Sequence, residues 1–360
     1  MPFTRPQACQ RLIRARVSAL IESVNDKPLL SIQYLRAFAA LVVVTFHALQ
    51  WRTGGFDVGR GGVDVFFVIS GLIMWRVTSG REVAPLAFLW RRFTRVAPLY
   101  WLATLVTAAT CAAWPGFLDN VLPGWGHLAL SLAFIPHLDP RGLPFPTLPP
   151  GWTLNYEAIF YLVFAAALLV PKDRRARVVA GALLAIVAAG FLLDNPIYIL
   201  GANPLLLEFA AGVALARLAE IRALPGRSWG LALIAAGLAA FAIPAMLGVW
   251  SEVWRPLIWG LPAAVLVGGA LSVESAGGLP RWRPLERLGD ASYSLYLVHL
   301  PVTAVVAHTM GTDRPWLFIP TALAVSIAAG FACRTFLETP LLHWLRDRPR
   351  RRQEATATAG

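Results

Sequence analysis

The sequence predicts an all-α, polytopic integral membrane protein, and three observations carry that prediction. Hydrophobic residues make up 57% of the 360-residue chain and charged residues 14%, against about 45–50% and about 25% in soluble domains. Mean hydropathy is +0.59, which leaves too little polar surface for a cytosolic or secreted globular protein. The third observation is segment length. A helix needs about 20 mostly apolar residues to cross a bilayer, and ten segments near that length follow one another, at 31–50, 62–79, 96–114, 152–170, 178–194, 196–216, 229–249, 256–273, 291–310 and 316–337. Hydrocarbon cannot satisfy an open backbone, so such segments are helices.

An eleventh apolar stretch, His127–Pro136, is too short to cross unaided. Its treatment decides the orientation of everything after it. If it stays on one side, as a short or re-entrant segment of a Pro- and Gly-rich loop at 115–151, then 25 of the 32 Lys and Arg residues fall on one face of the membrane and five on the other. Those five are Arg52, Arg60, Arg141, Arg255 and Arg314; Arg36 and Arg334 lie inside helices. Cytoplasmic loops carry the excess of Lys and Arg, so both termini are expected in the cytoplasm. If the stretch crossed, every later loop would invert. The net charge of +12 thus reads as this loop bias, not as a nucleic-acid surface.

Residues 1–28 form a basic, mildly amphipathic segment with Leu12, Ile13, Leu20 and Ile21 among arginines. No apolar core or cleavage site follows them, so they are not read as a cleavable signal. Residues 341–360 are expected to be a basic cytoplasmic tail. Cys9, Cys111 and Cys333 are far apart and show no metal or disulfide spacing.

An ionisable residue in a spanning helix costs at least about 2.5–3.5 kcal/mol on insertion scales, which makes each a functional candidate. Arg36 and His47 share the first span. Eleven residues bring them to nearly the same face, roughly 16 Å apart along the axis, with Arg36 toward the cytoplasm and His47 toward the outside. Snorkelling of Arg36 and capping by His47 account for them equally well. Asp64, near the outer end of the second span, lies at about the depth of His47, where a carboxylate can orient an imidazole; a plain N-terminal cap is the alternative. Glu157, in Trp152-Thr153-Leu154-Asn155-Tyr156-Glu157, is expected near the same level.

Ser70 and Gly71 are small residues in mid-helix, for which spacing favours close packing; Ser70 is kept with the donor-site candidates. Arg92 and Arg95, three apart, share a helix face and can clamp phosphate with forked donors, although spacing alone favours ordinary positive-inside charge. Ser292, Tyr293, Tyr296 and His299 follow helical spacing in the span 291–310 and suggest a wet cavity or an interfacial belt. Glu338, before Pro340, reads as the end of the last helix.

In order, these motifs resemble the acyltransferase 3 family of membrane proteins. The matching blocks are Leu35-Arg36-Ala37 with His47, Gly62-Val63-Asp64 through Ser70-Gly71, Arg91-Arg92-Phe93-Thr94-Arg95, Trp152 to Glu157 with Tyr161, Gly289-Asp290-Ala291-Ser292-Tyr293 through His299, and Glu338-Thr339-Pro340. Residues 29–340 would be the family's transmembrane domain, closest in wording to its exopolysaccharide-modifying, succinoglycan-type branch. Thr153 and Val298 depart from the Ser and Trp of many relatives, which touches substrate range.

The resemblance implies acyl transfer, usually of acetyl, from cytoplasmic acyl-CoA (acetyl-CoA) to a hydroxyl of an extracytoplasmic or lipid-linked polysaccharide, at the cell inner membrane. Arg92 and Arg95 match the family's Arg pair, implied to hold CoA phosphates; Arg36 and His47 match its Arg–His pair. On this reading His47 is base or nucleophile, Asp64 or Glu157 orients it, and Tyr293, Tyr296 or His299 donates to the carbonyl oxygen. The partners are the bilayer, acyl-CoA and a polysaccharide or glycolipid acceptor, with no metal and no nucleic acid. The alternatives are a transporter or flippase for a lipid-linked sugar, and acyl transfer to a small-molecule acceptor.

Overall fold

A computed structural model describes residues 29–51, 57–118, 121, 124–192, 201–249, 251 and 253–345. The N-terminal segment 1–28 and the end of the tail lie outside them. Every regular element among the described residues is helical. In order these are α1 (Leu30–Gln50), α2 (Gly61–Ser79), α3 (Pro85–Ala113), α4 (Trp125–Leu132), α5 (Trp152–Ala167), α6 (Lys172–Leu192), α7 (Leu206–Glu220), α8 (Arg227–Met246), α9 (Leu261–Ser275), α10 (Arg283–Met310) and α11 (Pro315–Cys333). Short π turns, Pro256–Gly260 and Arg334–Glu338, precede α9 and follow α11.

Among the described residues, seven helical stretches are long and apolar enough to cross a membrane, against ten segments expected over the whole chain; the start of the expected segment 196–216 lies outside the described residues. The difference is physical. α5 and α7 have 16 and 15 residues, and the part of α10 after Asp290 is made less apolar by Ser292, Tyr293, Ser294, Tyr296 and His299. Three helices begin well before hydropathy suggested, α6 among them, at Lys172 and not 178. α3 starts at Pro85, so Arg91–Arg95 lies inside the helix, not at its mouth. α10 starts at Arg283. The last helical stretch runs on to Leu345, so Glu338 does not end it and the expected tail begins as helix.

α2 is the most enclosed of the seven and packs against α7, α1 and α9. Its contact with α7 is backbone to backbone. A Cβ at Gly212 would lie 1.9 Å from the Val68 carbonyl oxygen, and one at Gly71 would lie 2.0 Å from that of Phe209. Reciprocal glycines let helices approach this closely where lipid provides no hydrophobic drive. Gly71 is therefore a packing residue, as its size suggested; its neighbour Ser70 turns elsewhere. α10 packs on α1 and α11, and α8 on α9. α6 and α8 bury only a small share of their surface, as helices facing lipid do.

The short segment forms α4, eight residues long, about 12 Å. The Tyr100 hydroxyl and the Trp101 indole of α3 donate to the carbonyls of Ser131 and Leu132, at 3.1 and 2.7 Å. These bonds reach carbonyls at the end of α4, where intrahelical donors run out, and tie α4 to the side of α3.

Candidate active site

Most of the sequence-nominated residues line one of two chambers at opposite ends of α1; Tyr296 lines both, and Asp64 and His299 line neither. The first, about 240 Å³, is lined by Arg36, Ser70, Arg92, Arg95, Glu157 and Tyr293 among others. The second, about 800 Å³, is lined by His47, Gln50, Arg60, Trp152, Asn203 and Arg255 among others. Glu157 thus belongs with the arginines and not at the level of His47.

In the arginine chamber, Arg36 Nε donates to Ser292 Oγ at 3.1 Å. Arg95 is held by Glu338 through an ion pair and hydrogen bond and lies over the Tyr293 ring at 5.4 Å. Glu338 also accepts from Ser294 Oγ. Arg92 has its guanidinium 6.0 Å from the Phe88 ring centre, while its Nε is buried with no hydrogen-bond partner among the described residues. Arg92 and Arg95 both line the chamber, and guanidinium groups there suit an anionic ligand. Glu157 accepts from Ser70 Oγ at 2.9 Å and from Tyr161 at 2.5 Å. Ser70 therefore serves the chamber and not helix packing.

In the other chamber, His47 Nδ1 lies 3.1 Å from Gln50 Oε1. An amide oxygen only accepts, so Nδ1 carries the hydrogen and Nε2 keeps a lone pair. The expected carboxylate partner is absent from this arrangement. Asp64 is fully buried and faces Arg255, which donates from Nε at 3.2 Å and from Nη2 at 2.9 Å. A buried carboxylate takes the strongest cation that the fold delivers, and Arg255 also binds the Arg60 carbonyl at 3.3 Å. Arg255 is itself only 4% exposed, a bundle residue where a solvated loop charge was expected. Buried Glu208 has neither carboxylate oxygen hydrogen-bonded and interacts with Asp64 and Arg255.

The expected carbonyl-oxygen donors are also committed elsewhere. Tyr293 donates to the Val96 carbonyl at 2.6 Å and Tyr296 to that of Pro150 at 3.1 Å. His299, fully buried and 5.0 Å from the His47 ring centre, bonds the Tyr296 carbonyl through Nδ1 at 2.6 Å. Its Nε2 is therefore a bare acceptor, and this tautomer cannot donate from it. A phenol has one proton, and in both tyrosines a main-chain carbonyl takes it.

Sequence reasoning missed Glu338, Arg255, Glu208 and Gln50 as site residues. Gln50 was findable, three residues from His47 on one helix face. Among the described residues no group of three His, Cys, Asp or Glu side chains is placed to hold a metal ion.

Residues 29–335 match the model of the acyltransferase domain family, Acyl_transf_3. The chain belongs to the acyltransferase 3 family. It is a multi-pass membrane enzyme of the acyltransferase class. It is 38% identical to the exopolysaccharide production protein ExoZ of Rhizobium meliloti, over 85% of this chain and 96% of that one. It is 28% identical to the acyltransferase MdmB of Streptomyces mycarofaciens, over 91% and 94% of the two chains. It is 27% identical to the peptidoglycan O-acetyltransferase OatA of Listeria monocytogenes over 86% of this chain, but spans only 55% of OatA. No solved structure matches. The acyltransferase 3 assignment and the two chambers together frame the chemistry.

Proposed function

We propose that this acyltransferase moves an acetyl group from cytoplasmic acetyl-CoA to a hydroxyl of an extracytoplasmic or lipid-linked polysaccharide, at the cell inner membrane. The observation that carries this reading is the pair of chambers at opposite ends of α1, one with three arginines, the other with His47. If the ten expected segments cross and both termini are cytoplasmic, the charge split between loops supports a cytoplasmic arginine chamber. Arg92 and Arg95 bind the CoA phosphates and Arg36 lines the path of the pantetheine. His47 Nε2, whose lone pair is left open by the Gln50 contact, takes the sugar hydroxyl proton as the oxygen attacks the thioester carbonyl. The C–S bond breaks, and the thiolate recovers the proton from His47. Asp64 and Glu157 keep roles in holding the two chambers, through Arg255 and through Ser70 with Tyr161. ExoZ's name speaks for exopolysaccharide as the acceptor class.

The test is acetyl analysis, by NMR, of surface polysaccharide from cells lacking the protein, complemented with wild type or His47→Ala. Acetyl signals that vanish in the deletion and return only with wild type support the reading. Unchanged acetylation points to another acceptor, and failed polymer export to a transporter.

A further inference from the structure

The two chambers meet at a thin wall. Val63 of α2 and Tyr296 of α10 contribute to the lining of both. The phenol is latched at its tip, donating to the Pro150 carbonyl at 3.1 Å and lying 3.1 Å from Thr153 Oγ1. Thr153 lines the arginine chamber and Pro150 the His47 chamber, so the latch straddles the wall. The ring is packed edge-on to Phe66, centres 5.9 Å apart, and beside His299 at 5.8 Å.

A thioester held on the arginine side has the 800 Å³ chamber just beyond this wall. A water in the liquid takes about 30 Å³, so that chamber has room for many, among polar side chains that include His47, Gln50 and Asn203. A base that activates a sugar hydroxyl activates water equally well. Transfer therefore needs the thioester kept dry until the acceptor is seated.

We propose that Tyr296 is a specificity-determining residue that shields the donor thioester from water in the His47 chamber, so that a sugar hydroxyl is acylated in preference to hydrolysis. This rests on the acyl-CoA reading above. When the wall is breached, water attacks the thioester carbonyl, a C–O bond forms as C–S breaks, and water's proton passes by way of His47 to the thiolate. The products are acetate and CoA thiol.

The experiment uses the purified full chain in lipid nanodiscs with acetyl-CoA alone, reading free CoA thiol with a chromogenic thiol reagent. Tyr296→Ala is expected to release CoA at least tenfold faster than wild type. Tyr296→Phe, which keeps the ring and loses the latch, should give a smaller rise. Val63→Ala thins the wall from the other helix without removing a hydrogen bond, should raise release several-fold, and carries the test if Tyr296→Ala does not fold. Adding His47→Ala to Tyr296→Ala should suppress the release. If wild type acetylates polysaccharide in cells and CoA release is the same in every folded wall variant, the inference is overturned. A wild type that acetylates nothing in cells and releases no CoA overturns the acyl-CoA reading and the inference with it.

Discussion

Arg92 and Arg95 sit one turn apart on α3, yet the structure gives them opposite effects on stability. Arg92 buries Nε without a partner, and an unsatisfied buried donor costs about 1–3 kcal/mol. Its position over Phe88 returns about 0.5–1 kcal/mol. Arg92→Leu is therefore expected to leave the ligand-free protein at least as stable as wild type, by up to about 2 kcal/mol. Arg95→Leu instead strands the Glu338 carboxylate, whose side chain is 4% exposed. Breaking a buried pair costs about 3–5 kcal/mol, and the 28% exposure of Arg95 places this case at the lower end, about 3 kcal/mol after solvent screening. For donor binding the two should agree. Losing charge-assisted hydrogen bonds of about 1.5–3 kcal/mol raises the KM for acetyl-CoA about ten- to a hundredfold. The assay pairs heat-denaturation midpoints, with and without CoA, with steady-state KM and kcat. Added CoA should raise the midpoint of wild type but hardly that of Arg92→Leu. The reasoning is refuted if Arg92→Leu loses as much stability as Arg95→Leu, or if it lowers kcat at unchanged KM.

His47→Ala should abolish transfer while leaving expression and the CoA-induced thermal shift intact; near-normal activity in an acetyl-transfer assay would falsify the base assignment. Arg255→Met should destabilise the protein by removing the cation between Asp64 and Glu208, whereas Arg255→Lys should recover much of the loss; equal melting of both variants with wild type would remove Asp64–Arg255 from the list of supports. Asp139 lies in the loop after α4. Burial pushes its carboxyl up, but hydrogen bonds from the Leu143 and Arg141 main chain and the Arg141 side chain prevail and hold it below the usual range. A depressed carboxyl stabilises above its unfolded value, about 3.9, and that contribution is lost as pH falls through the lower folded value. Proteolysis of loop 139–145 should therefore be flat from pH 8 to 5 and rise only below about pH 4; a rise near pH 6 would count against this hold.

The all-helical class, the order of most apolar segments and the shortness of α4 were legible in the sequence because the length of an apolar run is a local property; the helix starts at α3, α6 and α10 were not. So was the pairing of Arg92 with Arg95 on one face, which follows from 100° per residue alone. The partners were not legible. Asp64 meets Arg255 across 191 residues and Arg95 meets Glu338 across 243, and nearly uniform apolar helices carry little pattern to say which face turns to which neighbour. Depth along the axis was readable from residue counts, which is why His47, Asp64 and Glu157 looked like companions. Rotation about the axis was not, and it turned Asp64 to Arg255; for Glu157 the depth itself was misjudged, since it lines the arginine chamber. The sequence by itself determined that this chain is a membrane-embedded helical protein with the ordered motifs of acyltransferase 3. Only tertiary structure decided that the arginines and His47 occupy separate chambers, with Tyr296 and Val63 between them, because a wall exists only where side chains from different helices meet.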